Sequence, residues 1–311
     1  MRRLALLCLT AVFVLIAILL TPNRYFLNIA VFAGINALLA ISLNLLLGFA
    51  GQVSLGHAAF YGLGAYGVGV LSTHYSWPVW LCLPVALLGT GVIAYLIGLP
   101  TMRLKGHYLA LATLGFGIIV KVIFDVTPSL TGGPSGLIGI PNLTVGRLVI
   151  SGDRNFALLV WLSILIVQGG IGNLRASRLG RALYAIQENE TAASALGIDT
   201  GREKRAVFVA SAMLAAFAGC IYAYYMSVIS PESFGFGFSV QVLTMTVLGG
   251  LGSLWGPVLG ALLLTVLPEV FRRSEDYQTI IYGLLLILAV MFLPQGLTGG
   301  ARRLWRRLKE V

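Results

Sequence analysis

Long apolar runs alternate along the chain with short polar or glycine-rich segments. A helix needs about 20 mostly apolar residues to cross roughly 30 Å of hydrocarbon. Ten runs reach or approach that length: residues 4–20, 28–48, 55–73, 78–99, 107–126, 155–172, 206–228, 237–251, 255–271 and 277–294. The run 237–251 is short, which favours a broken or re-entrant helix there. The pattern predicts an all-α polytopic membrane protein of about ten transmembrane helices, with residues 1–311 forming a single transmembrane domain.

Composition and the N-terminal pattern agree with a membrane location. The chain is 58% hydrophobic and only 10% charged, whereas soluble domains carry about 25% charged residues. Arg2 and Arg3 precede the first run, but Thr21-Pro22-Asn23-Arg24 is a poor cleavage site, which favours a signal anchor over a cleaved signal peptide. The three cysteines lie inside apolar runs without paired or metal-ligand spacing, and we expect them to be buried: Cys8, Cys82 and Cys220.

The placement of positive charge predicts the orientation of the chain in the membrane. With ten spans and a cytoplasmic N-terminus, 15 of the 21 Lys and Arg residues fall in inside segments, five outside and one within a span. This distribution obeys the positive-inside rule and places both termini, including the basic tail 295–311, in the cytoplasm. A full crossing by 237–251 is favoured, because otherwise the tail would lie outside. The net charge of +10 suits an anionic inner leaflet and requires no nucleic-acid partner.

The stretch "LNLLLGFAGQVSLGHAAFYGLGAYGVGVL" contains a break, at which one predicted span ends at Gly48 and the next begins after Ser54. Small residues follow the break at spacings of four, three and four, so they share one helix face: Ala58, Gly62, Ala65 and Gly69. Such a face allows another helix to approach closely. Alternatively, the break marks a discontinuous helix that lines a pathway, with Gln52, Ser54 and His57 near its mouth. The sequence leaves both interpretations open.

The segment 127–154, "TPSLTGGPSGLIGIPNLTVGRLVISGDR", is the longest predicted external loop. Its six Gly and three Pro residues predict turns and exclude a long helix. Loops beyond about 12–15 residues are usually functional or disordered, and the apolar content here argues against disorder. The segment therefore either folds over the outer mouth of the protein or packs under a partner.

A compact polar segment lies in the predicted cytoplasmic loop 173–205. Asn189 suits a helix N-cap, and Glu190 in the first turn favours the helix dipole. Gly197 suits the C′ position, which would place Ile198 against Ala193 in a Schellman ending. The predicted helix, 190–196, is marginal by itself in water. It therefore needs support either from its own chain or from a partner.

Residue patterns that would indicate catalysis are missing. The chain contains no HExxH, no GxSxG between a strand and a helix, no metal-ligand cluster and no GxxxxGK[ST] phosphate loop. We therefore expect no metal or cofactor bound by this chain, and no ATP site of its own. Lys121 and Asp125 form an i, i+4 pair that explains both charges without a proton relay. The candidate pathway-lining residues are Asn36, Asn44, Gln52, Ser54, His57, Gln241 and Thr244.

Four stretches together resemble one family. "GRALYAIQENETAASALGIDTGREKRAVFVASAMLAAFAG" (180–219) is similar to the cytoplasmic loop of permeases of bacterial ATP-binding-cassette importers. "LNLLLGFAGQVSLGHAAFYGLGAY" (43–66), "TGGPSGLIGIP" (131–141) and "VLGGLGSLWGPVLGA" (247–261) resemble the branched-chain amino acid permeases of the LivM type. The resemblance runs over nearly the whole chain.

The resemblance implies a role for the polar segment. In such permeases this loop forms a coupling helix that docks in a groove of an ATPase subunit. Ala192, Ala193 and Gly197 keep the family's spacing from Ala-Ala to Gly, whereas Thr191 places Glu190 one residue further away than the family pattern. The residues expected to couple to the ATPase are Asn189, Glu190, Ala192, Ala193 and Gly197.

The resemblance also implies an assembly and a location. The expected partners are a second permease, two ATPase subunits that use ATP and Mg, a periplasmic binding protein and the lipid bilayer of the bacterial inner membrane. The expected cargo is a branched-chain or other hydrophobic amino acid. Urea or short amides carried by the same machinery, and a self-sufficient secondary carrier or channel, are the alternatives.

Overall fold

The computed structural model describes residues 23–104, 106–145, 148–270, 284, 287 and 296–299. The predicted first span lies outside these residues, as does all of the last span except residues 284 and 287. Each of the other eight predicted spans corresponds to a helix. In chain order the α-helices are α1 (Arg24–Ala50), α2 (His57–Thr73), α3 (Val79–Thr101), α4 (His107–Val126), α5 (Pro128–Thr131), α6 (Asp153–Ala176), α7 (Arg178–Glu188), α8 (Glu190–Ala195), α9 (Thr200–Met226), α10 (Phe236–Gly249) and α11 (Gly256–Val270).

Five of these helices, α1, α3, α4, α6 and α9, are long and apolar enough to cross a membrane. The polytopic helical prediction is therefore confirmed, while the count of ten spans stays a prediction. Helix α10 has 14 residues, about 21 Å at 1.5 Å per residue. That length is short of the hydrocarbon thickness, as the sequence indicated for 237–251.

Two small antiparallel ribbons accompany the helices of this mostly helical chain. Strand β1 (Leu137–Ile138) pairs with β4 (Val228–Ile229), which follows α9, and β2 (Leu143–Val145) pairs with β3 (Leu148–Ile150). Glycine and proline shorten the helices of the 127–154 segment to α5 and a 3₁₀ turn at Gly133–Ser135. The extended pieces that follow them satisfy backbone groups by pairing.

The 127–154 segment packs on the helix bundle. Leu137, Ile140 and Leu143 are buried, and a side chain at Gly69 of α2 would meet Leu137, Ile140 and Ile229. The structure therefore shows a cover that is tied to α2. Whether the same segment also contacts a partner stays a prediction.

Helix α1 lies at the centre of the bundle, in contact with α6, α9, α10 and α11, while α9 packs on α1, α2 and α3. The backbones of α2 and α9 are in direct contact where the two helices cross. A Cβ at Gly64 would overlap Ala216, and a Cβ at Gly219 would overlap the carbonyl of Tyr61. The α2 glycine at this crossing is Gly64, outside the predicted set of small residues. Of that set, Gly62 lies against the side chains of Phe124 and Phe234, and Gly69 lies against the β1–β4 ribbon.

Helices α3 and α4 expose broad apolar faces. The exposed side chains of α4 include Leu111, Ile118, Ile119 and Val122, and those of α3 include Leu88 and Leu96. Contiguous apolar surface of this extent is rare on monomeric soluble proteins and marks contact with lipid or with another protein. These faces agree with a membrane environment.

Candidate functional site

The polar segment forms a short helix between two caps. Asn189 has extended backbone angles, and its Oδ1 accepts a hydrogen bond from the backbone N–H of Ala192 at 3.0 Å. The backbone N–H of Asn189 also donates to Ala185 O, the last bond of α7. One residue thus ends α7 and starts α8, which fixes the turn between them. The predicted N-cap at Asn189 is confirmed.

A Schellman motif ends this helix. The N–H of Gly197 donates to Ser194 O at 3.0 Å, and the N–H of Ile198 donates to Ala193 O at 3.1 Å. Gly197 has a φ of +85°, a conformation in which a Cβ is unfavourable. The predicted C′ glycine is therefore confirmed. The helix is Glu190–Ala195 rather than 190–196, because Leu196 is its C-cap.

An ion pair holds the short helix against α9. The Lys204 Nζ lies 2.6 Å from Glu190 Oε1, and the Lys204 side chain is 1% exposed. No local pattern in the sequence indicates this pair, since a separation of fourteen residues gives no periodic signal. The contact gives Glu190 a partner within its own chain, although Thr191 places Glu190 one residue further from Ala192 than the family pattern does. It also supplies part of the support that a six-residue helix requires.

Two apolar side chains project from this loop. Leu196 is 81% exposed and Tyr184 of α7 is 63% exposed, whereas Ala193 is buried. A Leu this exposed next to a rigid cap leaves apolar area that a partner could bury. The sequence analysis missed both side chains. The signal in the sequence was a large apolar residue directly before the capping glycine of a polar segment.

The break between α1 and α2 is a non-helical segment, 51–56, that runs into the bundle. Gly51, with a φ of +66°, ends α1, and Gly56 precedes α2 without a side-chain cap. Neighbouring helices supply the missing acceptors. Thr113 Oγ1 accepts from Leu55 N–H and Ser239 Oγ accepts from Ala58 N–H, both at 3.1 Å.

The start of α2 is deep in the protein. Gly69, in the last part of α2, contacts the β1–β4 ribbon. His57, the first residue of α2, precedes Gly69 by twelve residues and therefore lies about 18 Å away along the helix. His57 and Ser54 are 1% and 0% exposed. The broken-helix interpretation of this stretch agrees with that geometry, although the residues are enclosed by the described part of the chain rather than placed at an open mouth.

The three candidate residues of the break carry polar atoms without a hydrogen-bond partner in the described structure. These atoms are Gln52 Oε1, Ser54 Oγ and His57 Nδ1. His57 is held from its other side, because its Nε2 lies 2.7 Å from Ser42 Oγ of α1. Buried polar atoms are normally paired, so a group of three within six residues distinguishes this segment from ordinary packing.

Comparison with known proteins places the chain in a family. The model for "Branched-chain amino acid transport system / permease component" matches residues 25–290. The chain belongs to this permease family. It is 36% identical over 298 residues to the high-affinity branched-chain amino acid transport system permease protein LivM of Escherichia coli (strain K12), covering 88% of this chain and 70% of that protein.

Two further relatives carry the same type of description. The permease resembles LivH of Salmonella typhimurium at 28% identity, covering 85% of this chain and 91% of the relative. It resembles BraD of Pseudomonas aeruginosa at 29% identity with the same coverage. No solved structure matches the permease significantly. The predicted resemblance to LivM-type permeases, and with it the assignment to a transporter subunit, is confirmed.

The other candidate pathway residues of the permease take part in contacts between or within helices. Asn36 Nδ2 donates to Thr265 Oγ1 of α11 at 3.0 Å, and Thr244 Oγ1 donates to Val240 O of its own helix at 2.8 Å. Gln241 lies on α10 and also has an interaction partner. Their proposed pathway role stays a prediction. In the described part of the chain, no group of three His, Cys, Asp or Glu could hold a metal ion.

Asn44 joins α1 to the turn between α10 and α11. Its Oδ1 accepts from Gly252 N–H, and its Nδ2 donates to Ser253 O, both at 2.9 Å. Both ends of the amide are therefore used, and the side chain is 3% exposed. This arrangement indicates that Asn44 positions the "GGLGSLWG" turn.

We expect Asn44→Ala to destabilise the permease by about 1–3 kcal/mol, since two partly buried backbone groups lose their partners. Thermal unfolding of the purified permease in detergent measures the loss. Asn28→Ala, the same change at an exposed position of α1 that bonds only to Tyr225 Oη in the described structure, serves as the control and should cost much less. Equal losses in the two variants would contradict the positioning role of Asn44.

Proposed function

We propose that this chain is the membrane-spanning permease subunit of an ATP-driven importer of branched-chain or other hydrophobic amino acids. The observation that carries the proposal is the capped helix α8, held rigidly to α9 with Leu196 exposed beside it. Family membership supports the importer assignment, and the names of LivM, LivH and BraD support the substrate class.

The helix α8 suits docking into a groove of a separate ATPase. Asn189 and Gly197 cap it at both ends, so little conformational entropy remains to be lost on binding. Its small exposed residues, Ala192 and Ala195, permit close approach, while Leu196 offers an apolar anchor. In this proposal, movement of the ATPase dimer displaces α8, and α9 carries the displacement into the bundle.

The proposed assembly contains a second permease, two ATPase subunits that bind ATP and Mg, and a periplasmic binding protein. Substrate delivered to the outer face would pass between the two permeases during alternating access. The permease itself would hold no nucleotide and perform no covalent chemistry. The permease would lie in the inner membrane, with both termini and the loop 173–205 facing the cytoplasm.

Reconstitution tests the proposed activity. The complex in proteoliposomes, supplied with the binding protein, should import leucine or isoleucine only when the ATPase subunits and ATP are present. Uptake by the permease without ATPase subunits would overturn the proposal in favour of a secondary carrier or channel. Stimulation of ATP hydrolysis by urea or short amides, and not by amino acids, would support the alternative cargo.

Thiol labelling tests the proposed orientation. A cysteine introduced by Ser194→Cys, in a chain whose native cysteines are replaced by serine, should react with a membrane-impermeant reagent in inverted vesicles. It should not react in intact cells with a permeabilised outer membrane. The opposite pattern would place α8 in the periplasm and remove its proposed contact with an ATPase.

The β1–β4 ribbon provides a specific position at which to test contact with the binding protein. Deleting 132–139 would remove buried Leu137 and disturb the fold, whereas Ile138 is 68% exposed. We expect Ile138→Asp to raise the binding-protein concentration for half-maximal uptake about tenfold, by placing a charge in an apolar contact. Ser129→Asp adds the same charge at another exposed position of this segment and should have little effect. An unchanged concentration dependence in Ile138→Asp would leave the segment as a structural cover.

A further inference from the structure

A buried cation lies where the cytoplasmic loop meets the helix bundle. Lys204 is on the second turn of α9, and its ammonium group is 2.6 Å from the Glu190 carboxylate, with side-chain exposures of 1% and 27%. Burial of a charged group is costly unless the group is paired and hydrogen-bonded. Because the described structure gives Lys204 this one ion pair, Glu190 is needed to keep the cation buried.

The face of α9 that carries Lys204 continues into the core. Ser211, seven residues further on, lies on the same side of the helix and is 0% exposed. Its Oγ donates to the carbonyl oxygen of Ser42 on α1 at 2.6 Å. The hydroxyl of Ser42 in turn lies 2.7 Å from Nε2 of His57, the first residue of α2.

About two turns of α9, from Lys204 to Ser211, join two sets of polar contacts between α8 and the break before α2. These contacts are Glu190 with Lys204, and Ser211 with Ser42 and Ser42 with His57. The last four of these side chains are each no more than 1% exposed, so water does not compete for their hydrogen bonds. Along the chain, the four-residue turn 196–199, which contains Gly197, connects α8 to α9.

We infer that Lys204 is a positioning residue that sets the orientation of α8 against α9, so that displacement of α8 reaches the break at 51–57. The inference rests on the proposed function and adds the part of the chain that transmits the movement. Without the ion pair, α8 could rotate about the 196–199 turn while α9 stays in place. The importer would then hydrolyse ATP with little transport.

Three variants test the inference in the complete reconstituted complex. Lys204→Met keeps the length and packing of the side chain but removes the ion pair, Glu190→Gln leaves a buried unpaired ammonium group, and the double variant removes both charges. We expect Lys204→Met to reduce the amino acid imported per ATP hydrolysed about tenfold, as the loss of a charged hydrogen bond would allow. Glu190→Gln should also lower the melting temperature of the permease.

The double variant separates positioning from stability. We expect its melting temperature to return towards that of the wild type, since no unpaired charge is buried, while its transport per ATP stays low. Recovery of both quantities would overturn the inference and reduce the pair to charge compensation. Glu188→Gln, which removes an exposed carboxylate two residues earlier, is the matched control and should behave as the wild type does.

The same measurements distinguish this inference from the proposed function. Wild-type transport that depends on ATP, with unchanged coupling in Lys204→Met, would overturn the positioning role alone. Absence of ATP-dependent uptake in the wild-type complex would overturn both.

Discussion

Gly197→Val should uncouple ATP hydrolysis from transport while the permease still inserts and folds. A non-glycine residue in the left-handed region costs about 1–2 kcal/mol, and a β-branched residue at φ +85° is especially unfavourable. The helix that depends on this cap has six residues and is marginal by itself. We therefore expect α8 to unravel and uptake per ATP hydrolysed to fall at least about tenfold, measured in proteoliposomes containing the complete complex.

The Gly197 variant can be separated from a simple loss of surface contact. Nothing lies within 4 Å of a Cβ built at Gly197, so the substitution causes backbone strain without a clash. Gly197→Asn adds a side chain at the same place but tolerates positive φ, and it should retain most of the wild-type coupling. Equal losses in Val and Asn variants would indicate that the partner, rather than the cap, requires glycine.

Gly219→Val should prevent the permease from folding to its native bundle. A Cβ at Gly219 would overlap the carbonyl oxygen of Tyr61, and backbone of both Tyr61 and Ala65 lies close by. Backbone cannot move aside as a flexible side chain can, so α2 and α9 would be forced apart. We expect a loss of at least about 3 kcal/mol, seen as a large drop in the melting temperature or in the yield of monodisperse protein in detergent.

Gly115→Val is the matched control for Gly219→Val. Gly115 also lies inside an apolar helix, α4, but nothing in the described structure is within 4 Å of its added Cβ. The intrinsic change in helix propensity is therefore the same, while the steric effect differs. A similar loss of stability in both variants would show that the α2–α9 crossing tolerates a larger separation than the structure implies.

Local features of the sequence sufficed to locate α8 to within one residue at each end. Asn189 and Gly197 act on the backbone within a few residues of themselves, and their hydrogen bonds to Ala192 and Ser194 are consequences of short-range geometry. The eight helices that match predicted spans follow in the same way from runs of apolar residues, because a helix satisfies its own backbone in hydrocarbon.

The contacts of Asn44 show where such reasoning is insufficient. The sequence identifies a polar residue in an apolar helix, but it does not identify the partner of that residue. The structure shows Asn44 bonded to the turn at Gly252 and Ser253, while its role in lining a pathway stays a prediction. That turn is more than 200 residues away, and no local pattern encodes such a separation.

The membrane-spanning character of the chain, a break between the runs 28–48 and 55–73, and the capped helix beginning at Glu190 followed from the sequence alone, because each depends on hydropathy or on backbone geometry over a few residues. Tertiary structure decided which partners the polar side chains take, namely Lys204 with Glu190 and Ser211 with Ser42, and it decided which backbones meet, as at Gly219 and Tyr61. These contacts depend on how the helices pack together, and packing is set by the shape and burial of whole helix faces.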